Sequence, residues 1–178
     1  MRIIAGDLKG RRLATPIGDK VRPTSDKVKE AIFSMISDTY YDEVVIDLFA
    51  GTGNLGIEAI SRGAKHCYFG DKSKESLSLI RENINTCKVQ DQATILAGDF
   101  ETVLKRIPQK AQIIFLDPPY KDNLMVNCIE LIDQLDLLTE EGYIIAEHSL
   151  DEKLPEQIGK FEMIKEKRYG KIAVSIYG

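Results

Sequence analysis

The chain has 178 residues, 43% of them hydrophobic, which is enough to fill one large core in a single domain. Its formal net charge of −4 by itself argues against a nucleic-acid partner, and no apolar run reaches the roughly 20 residues of a membrane span. The segment MRIIAGDLKGRR lacks the hydrophobic region of a signal peptide, so we expect a cytoplasmic protein.

The N-terminal part of the sequence has a pattern of its own. MRIIAG and RRLATP are typical of a short β-hairpin that turns at Lys9-Gly10. An extended Arg-Pro-Thr segment then leads into a predicted helix from about Ser25 to Ile36. We interpret residues 1–40 as a small extension.

The extension is basic, although the chain as a whole is acidic. Residues 1–30 hold eight Lys or Arg against four Asp or Glu, which leaves a charge of −8 for the remainder. A basic arm on an acidic body is expected when only one face of a protein meets phosphates.

From residue 44 onward, apolar runs alternate with amphipathic stretches. The predicted strands are 44–49, 66–71, 93–97, 112–117 and 142–147, and the predicted helices lie near 54–62, 74–88, 100–107 and 123–138. This alternation predicts one α/β domain at 41–178, with a mostly parallel sheet covered by helices on both faces.

The period changes after Pro155. FEMIKEKRYG and KIAVSIYG predict a C-terminal antiparallel hairpin, which brings the sheet to seven strands. We expect the charges of KEKR to lie on a solvated strand face.

No metal site is predicted. Cys67, Cys87 and Cys128 lie far apart in sequence without a C-x-x-C motif, so we expect buried, reduced thiols. His66 and His148 flank apolar stretches, where a histidine with an ordinary hydrogen bond is the simpler interpretation. Neither histidine is assigned chemistry.

A glycine turn follows the first long strand. Gly51-x-Gly53-x-x-Gly56 matches the dinucleotide fingerprint, which suits a nicotinamide cofactor as well as it suits S-adenosylmethionine. Asp47, four residues before the first glycine, favours the second ligand. A carboxylate there would repel a pyrophosphate and attract the amino-bearing methionine end of S-adenosylmethionine.

Two further carboxylates follow the next two strands. Asp71 is placed to bind both ribose hydroxyls, and Asp99 to accept from the adenine amino group with Phe100 beside the ring. Acids also cap helices, which is the structural alternative for each one. Three acids at the edge that carries the glycine turn favour a ligand site.

DPPY, residues 117–120, follows the fourth strand at the same edge. Pro118 and Pro119 fix φ and offer no N–H, so the segment is a stiff set of acceptors. Asp117 and the Pro118 carbonyl would accept the two N–H bonds of an exocyclic amino group and orient its nitrogen, while Tyr120 stacks on the base. The structural alternative is that the prolines only stop the strand.

Several segments together resemble a known family. MRIIAG, KGRRL, RPTSDKVKEAIFSMI, DLFAGTGNLGIEAISRGA, DPPY and RYGK resemble the bacterial small-subunit ribosomal RNA guanine-N2 methyltransferases, over nearly the whole chain. These are class I methyltransferases with a [DNS]-P-P-[YFW] motif. The resemblance implies a Rossmann-like fold, S-adenosylmethionine as donor without a metal, and methylation of a guanine of 16S rRNA on a small-subunit assembly particle.

The resemblance also implies a set of site residues. The donor site would comprise Asp47, Phe49, Gly51, Gly53, Asp71, Lys72, Asp99 and Phe100, and the acceptor site Asp117, Pro118, Pro119 and Tyr120. Arg22 and Thr24 would lie beside the target base or the carboxylate of the donor. Relatives commonly have Glu where this chain has Asp71. Because the Asp side chain is one methylene shorter, we expect the geometry of the ribose contact to differ.

Charge predicts six RNA-binding residues, Arg2, Arg11, Arg12, Arg22, Lys27 and Lys29, for which the alternative is a solvated surface. The resemblance adds Thr24 to this set. No obligate protein partner is expected, because no large exposed apolar stripe is evident.

Three other functions remain open. The first is an amino methyltransferase for DNA adenine or protein glutamine, disfavoured by the lack of a separate sequence-reading domain. The second is an NAD-dependent oxidoreductase, disfavoured by Asp47, by DPPY and by the lack of a well-placed general acid. The third is a catalytically silent RNA-binding relative.

Overall fold

The computed structural model describes residues 1–17 and 25–178, within which lie five α-helices and eight strands. The helices are α1 (Asp26–Ile36), α2 (Asn54–Ser61), α3 (Lys74–Cys87), α4 (Phe100–Arg106) and α5 (Leu124–Gln134). The strands are β1 (Val44–Leu48), β2 (His66–Asp71), β3 (Ala93–Ala97), β4 (Ala111–Leu116), β5 (Leu138–Ser149), β6 (Gln157–Ile158), β7 (Phe161–Tyr169) and β8 (Ile172–Tyr177). None of the helices in these two stretches is long and apolar enough to cross a bilayer.

The strands form one sheet in the order β3-β2-β1-β4-β5-β8-β7-β6. β1 to β5 are mutually parallel, and β8 runs antiparallel to both of its neighbours. The predicted α/β architecture with a C-terminal antiparallel hairpin is confirmed. β6 is an addition of only two residues, too short to show a period in the sequence.

Two apolar cores lie on the two faces of the sheet. Successive residues of β1 point to different cores. Val45 belongs to the core under α1, α2 and α3, and Ile46 belongs to the core under α4 and α5. With both faces covered, the parallel strands are almost continuously apolar. Asp47 is the exception in β1, and it is buried there.

Side-chain caps set the starts of three helices. Ser25 accepts a hydrogen bond from the Val28 N–H, Ser73 from the Ser76 N–H, and Asp99 from the Thr102 N–H. α5 ends at Gln134, four residues earlier than predicted, because Asp136 adopts φ +52° and β5 already begins at Leu138.

The N-terminal hairpin is shorter than its sequence pattern suggested. One antiparallel bridge joins Arg2 to Arg12, flanked by hydrogen bonds from Ile3 N to Arg11 O and from Leu13 N to Met1 O, both 2.9 Å. Ile3 and Leu13 are buried in the same core as α1. The division into an extension at 1–40 and a domain at 41–178 stays a prediction.

Glycine is required at position 6, where the N-terminal segment crosses α2. Gly6 has φ +86°, and a Cβ atom there would lie 1.9 Å from the Ser61 carbonyl oxygen. The Ser61 hydroxyl accepts from Leu8 N and donates to Ala5 O, so the segment follows the end of α2 closely.

A buried ion cluster joins the N-terminal segment and α1 to α2. The Lys29 ammonium, fully buried, lies 3.0 Å from Glu58 Oε1 and donates to Arg2 O at 2.8 Å and Asn54 Oδ1 at 2.7 Å. Glu58 also accepts from Ile4 N and Ala5 N, and Arg62 Nε lies 2.8 Å from it. Burial alone would raise the pKa of Glu58, but these hydrogen bonds and the Lys29 charge outweigh it and lower that pKa.

Removing Lys29 should therefore destabilise the fold. We expect Lys29→Met to lower the free energy of unfolding by about 3–5 kcal/mol, because it leaves the Glu58 charge buried without its ammonium partner. Lys27→Met is the control on the same helix. Lys27 is exposed, so its loss should change the unfolding free energy by only about 0.5 kcal/mol. Urea unfolding measures both, and equal effects would contradict this account of the cluster.

Candidate functional site

A cavity of about 680 Å³ opens at the carboxyl ends of the central parallel strands, where open α/β sheets bind ligands. Its lining brings together ten predicted site residues: Asp47, Phe49, Gly51, Asp71, Lys72, Asp99, Phe100, Asp117, Pro118 and Pro119. Two others of that set, Gly53 and Tyr120, lie outside the lining. Tyr120 follows Pro119 directly and is 71% exposed.

The predicted glycine turn has left-handed backbone conformations at two of its glycines. Gly51 and Gly53 have φ of +61° and +81°, and a Cβ at Gly51 would meet no atom within 4 Å. Gly56 has a different role, since a Cβ there would lie 2.3 Å from the Phe69 ring. It lets α2 pack closely on β2. Phe49 also adopts a positive φ, +62°, which is strained for an aromatic residue.

Asp71 ties the glycine turn to the end of β2. Its Oδ2 accepts from Gly51 N and its Oδ1 from Ser73 N, both at 3.0 Å. The carboxylate is half-buried and lines the cavity. It is thus fixed in orientation, as a group that accepts from two adjacent hydroxyls must be.

Asp47 is almost fully buried, and its Oδ2 accepts from Gly56 N at 2.9 Å. Burial raises its pKa to about 8; the Gly56 hydrogen bond opposes the shift, and the charges of Asp71 and Glu147 add to it. Without a ligand, Asp47 therefore keeps a proton at neutral pH. A cation in the cavity would favour its ionised form.

Asp99 is the N-cap of α4, which is a structural role. Its Oδ1 accepts from Thr102 N at 2.9 Å, and hydrogen bonds from Thr102 hold the pKa of Asp99 below its ordinary value. The residue is nonetheless exposed within the cavity lining beside Phe100. Capping and ligand binding are compatible in this position.

Asp117 follows β4 and is paired with a residue that the sequence analysis missed. Leu116 is in register with Ala146, so the next residues, Asp117 and Glu147, lie at neighbouring strand ends and hydrogen-bond through their side chains. Burial, then Glu147 and Asp47, raises the pKa of Asp117 well above its ordinary value. Two carboxyls can share a hydrogen bond only if one holds a proton.

A sequence signal for Glu147 existed, because it is the last residue of the predicted fifth strand, as Asp117 is of the fourth. Glu147 is outside the cavity lining, whose unpredicted residues include Thr52, Asn54, Ser73, Ser76, Lys121 and Leu124. Within residues 1–17 and 25–178, no group of three or more His, Cys, Asp or Glu is arranged to hold a metal ion.

The predicted RNA-binding residues do not behave alike. Arg2, Arg11, Arg12 and Lys27 are exposed. Lys29 is withdrawn from this set, because its ammonium is buried in the ion cluster and has no surface for a phosphate. Arg22 and Thr24 lie outside the described residues.

The family model described as "Conserved hypothetical protein 95" matches residues 1–178. The chain belongs to this family. It is similar to "Putative rRNA methyltransferase YlbH" of Bacillus subtilis, 41% identical over 99% of this chain and 98% of that protein. It is also similar to "Ribosomal RNA small subunit methyltransferase D" of Haemophilus influenzae, 33% identical over 99% and 93% of the two chains.

The fold has close counterparts among solved structures. "Putative methyltransferase yhhF from Escherichia coli" superposes with a TM-score of 0.86 and 28% identity, covering 99% of this chain and 96% of that one. This likeness covers the N-terminal segment as well as the sheet, so the class I methyltransferase fold predicted from the sequence is confirmed.

The raised pKa of Asp47 predicts a specific effect of pH on stability. Between about pH 4 and pH 8 the unfolded state releases the proton that the folded state retains, so Asp47 lowers the free energy of unfolding as pH rises. Asp47→Asn removes this titration. We expect the free energy of unfolding of the variant to rise relative to that of the parent by roughly 1 kcal/mol per pH unit between pH 5 and pH 7, as measured by urea unfolding.

Asp99→Asn is the matched control, because Asn still caps α4 and the pKa of Asp99 is lowered rather than raised. Its stability difference from the parent should not grow over the same range. Parallel stability curves for Asp47→Asn and the parent would contradict the assignment of a buried, protonated Asp47.

Proposed function

We propose that this protein uses S-adenosylmethionine to methylate the exocyclic N2 of a guanine in 16S rRNA of the small ribosomal subunit. One observation carries the proposal: Asp117, Pro118 and Pro119 line the same cavity as the glycine turn, Asp47, Asp71 and Asp99. A site for an amino group is thereby joined to a site for a cationic nucleoside. The relatives named as rRNA methyltransferases support the substrate class.

The residues of the cavity fit the donor. Asp71 is oriented to accept from two ribose hydroxyls, and Asp99 and Phe100 adjoin the position for an adenine. Gly51 leaves open space where a side chain would otherwise enter. Asp47 supplies an anion for an ammonium group. S-adenosylmethionine, when bound, supplies an electrophilic methyl group on a sulfonium.

A positive charge also suits the electrostatics of the cavity. Asp47, Asp117 and Glu147 interact with one another, and burial raises the pKa of both aspartates. These groups ionise more readily when a cation lies beside them. Pyrophosphate would have the opposite effect, which disfavours a nicotinamide dinucleotide.

Asp117 and Pro118 orient the acceptor. An oxygen of Asp117 and the Pro118 carbonyl accept the two N–H bonds of the amino group, which turns the nitrogen toward the methyl group. The ionised Asp117 then accepts the proton that the nitrogen loses. The exposed Tyr120 stacks on the base for about 1–3 kcal/mol, which places the base at the outer side of the cavity. A base within a helix would have to flip out to reach this position.

Donor binding separates a methyltransferase from an oxidoreductase. We expect titration calorimetry to show binding of S-adenosylhomocysteine and no binding of NADH. Asp71→Ala should weaken S-adenosylhomocysteine binding by at least about tenfold, because it removes a charge-assisted hydrogen bond to ribose. Asp151→Ala, an exposed carboxylate beyond β5, is the control. Binding of NADH alone would reject the proposed donor.

Asp117→Asn should reduce methyl transfer by on the order of 10², because Asn donates an N–H where the target amino group needs an acceptor. The variant should still bind S-adenosylhomocysteine. Asp122→Asn, an exposed aspartate five positions along the chain, should retain full activity. If Asp117→Asn is as active as the parent, the proposed acceptor site is wrong.

The substrate is tested with small-subunit particles from cells that lack the protein, beside duplex DNA and a glutamine-containing protein substrate. We expect mass mapping of the 16S rRNA to show one new N2-methylguanosine. Methylation of DNA adenine or of glutamine instead would favour the alternative amino methyltransferases. Binding to RNA with no methyl transfer to any of the three would favour the silent relative.

A further inference from the structure

A β-bulge in β7 changes which of its residues lie on the same side of the sheet as α1. Met163 pairs with Tyr177 on β8, but Lys165 pairs with Ile176, so Ile164 is an extra residue between them. Before the bulge, Met163 packs against the core under α4 and α5. After the bulge, odd-numbered residues face the opposite side of the sheet.

The side chains moved by the bulge are cations. Lys165 and Lys167 pair with Ile176 and Val174, which belong to the core under α1, and residues paired across strands share a face. Both lysines are exposed, whereas their partners on β8 are buried. On the side of the sheet where β8 presents buried apolar residues, β7 therefore presents charged side chains to solvent.

This row of charges leads to the edge of the sheet that holds the cavity. β7 is parallel to β5, because both are antiparallel to β8. Its last residue, Tyr169, pairs with Ile172, which pairs in turn with Ser149 at the end of β5. Leu150 N donates to the carbonyl of the exposed Lys171 at 2.9 Å. The β7–β8 turn therefore lies at the carboxyl edge, on the side of DPPY away from the donor residues.

Lys165, Lys167 and Lys171 are here called the β7 basic row. Among the described residues, none of the three takes part in an ion pair. On the other face of β7, Arg168 lies 3.7 Å from Glu166. The row is thus a set of solvated cations without an internal counter-charge in this part of the structure.

We propose that the β7 basic row binds phosphates of the rRNA backbone next to the target base. This inference rests on the proposed function for its RNA substrate. The exposed N-terminal arginines and the row would then contact RNA from different parts of the fold. A polyanion is the partner that fits repeated, unpaired cations leading to a base-binding corner.

The competing explanation is protection of a sheet edge. β6 pairs with Phe161 and Glu162, and Met163 N donates to Glu156 O. Among the described residues, β7 from Ile164 onward is therefore an edge strand, and lysines keep such edges from pairing with other chains. That role needs charge along the edge but no contact with RNA. The two explanations therefore differ in what the salt dependence of RNA binding should show.

The test compares two double variants of the full chain. Lys165→Gln/Lys167→Gln removes two charges of the row. Lys65→Gln/Lys88→Gln removes two exposed charges near the starts of β2 and β3, at the opposite edge of the sheet. The readouts are affinity for small-subunit particles between 50 and 200 mM salt, KM and kcat for methyl transfer, and binding of S-adenosylhomocysteine.

We expect the row variant to bind RNA about tenfold more weakly at low salt. The salt slope, which is the slope of log affinity against log salt concentration, should be smaller in magnitude by about 1.5. Its KM should rise while kcat and S-adenosylhomocysteine affinity stay unchanged, and the control variant should match the parent. Equal salt slopes for both double variants would overturn the proposal. If the salt slopes are equal and only the row variant self-associates in sedimentation, the lysines protect the sheet edge instead. A parent protein inactive on rRNA would instead refute the proposed function itself.

Discussion

The crowding of three carboxyl groups at one edge of the sheet determines the chemistry of this molecule. Asp47 lies in β1, Asp117 follows β4 and Glu147 lies in β5, and these three strands are adjacent in the sheet. Asp47 and Glu147 are buried, and Asp117 is half-buried in the lining of the cavity. The parallel arrangement makes this crowding unavoidable, since it brings equivalent strand ends to one edge. The cavity therefore favours a positively charged ligand over a phosphate before any specific contact is considered.

Much of this arrangement was predictable from the sequence. Strands covered on both faces are continuously apolar, so β1 to β5 were visible as apolar runs, and Asp71, Asp99 and Asp117 were visible as acids at the ends of three of them. Glu147 was missed although it ends the predicted fifth strand, because its role depends on the pairing of β5 with β4, which places it beside Asp117. The N-terminal hairpin was overestimated, because its arms hold only one bridge and are bound to α1, α2 and α3 as well as to each other.

Lys29 shows where residue type misled and periodicity was correct. It lies three, four and seven positions before Ile32, Phe33 and Ile36, which is the spacing of one buried helical stripe. A charged residue on such a stripe indicates a buried partner of opposite charge. Glu58, which is buried on α2, is that partner. The positions of both residues were readable, but their pairing depended on how α1 crosses α2, which no local pattern encodes.

The hydrogen bond from Lys29 to Asn54 has a dynamic consequence. Asn54 is the first residue of α2 and lines the cavity, while the same ammonium holds the carbonyl of Arg2. Release of the N-terminal segment would take the Arg2 carbonyl away from the ammonium that also holds Asn54. We therefore expect local unfolding of this segment to be coupled to loosening of that wall of the cavity.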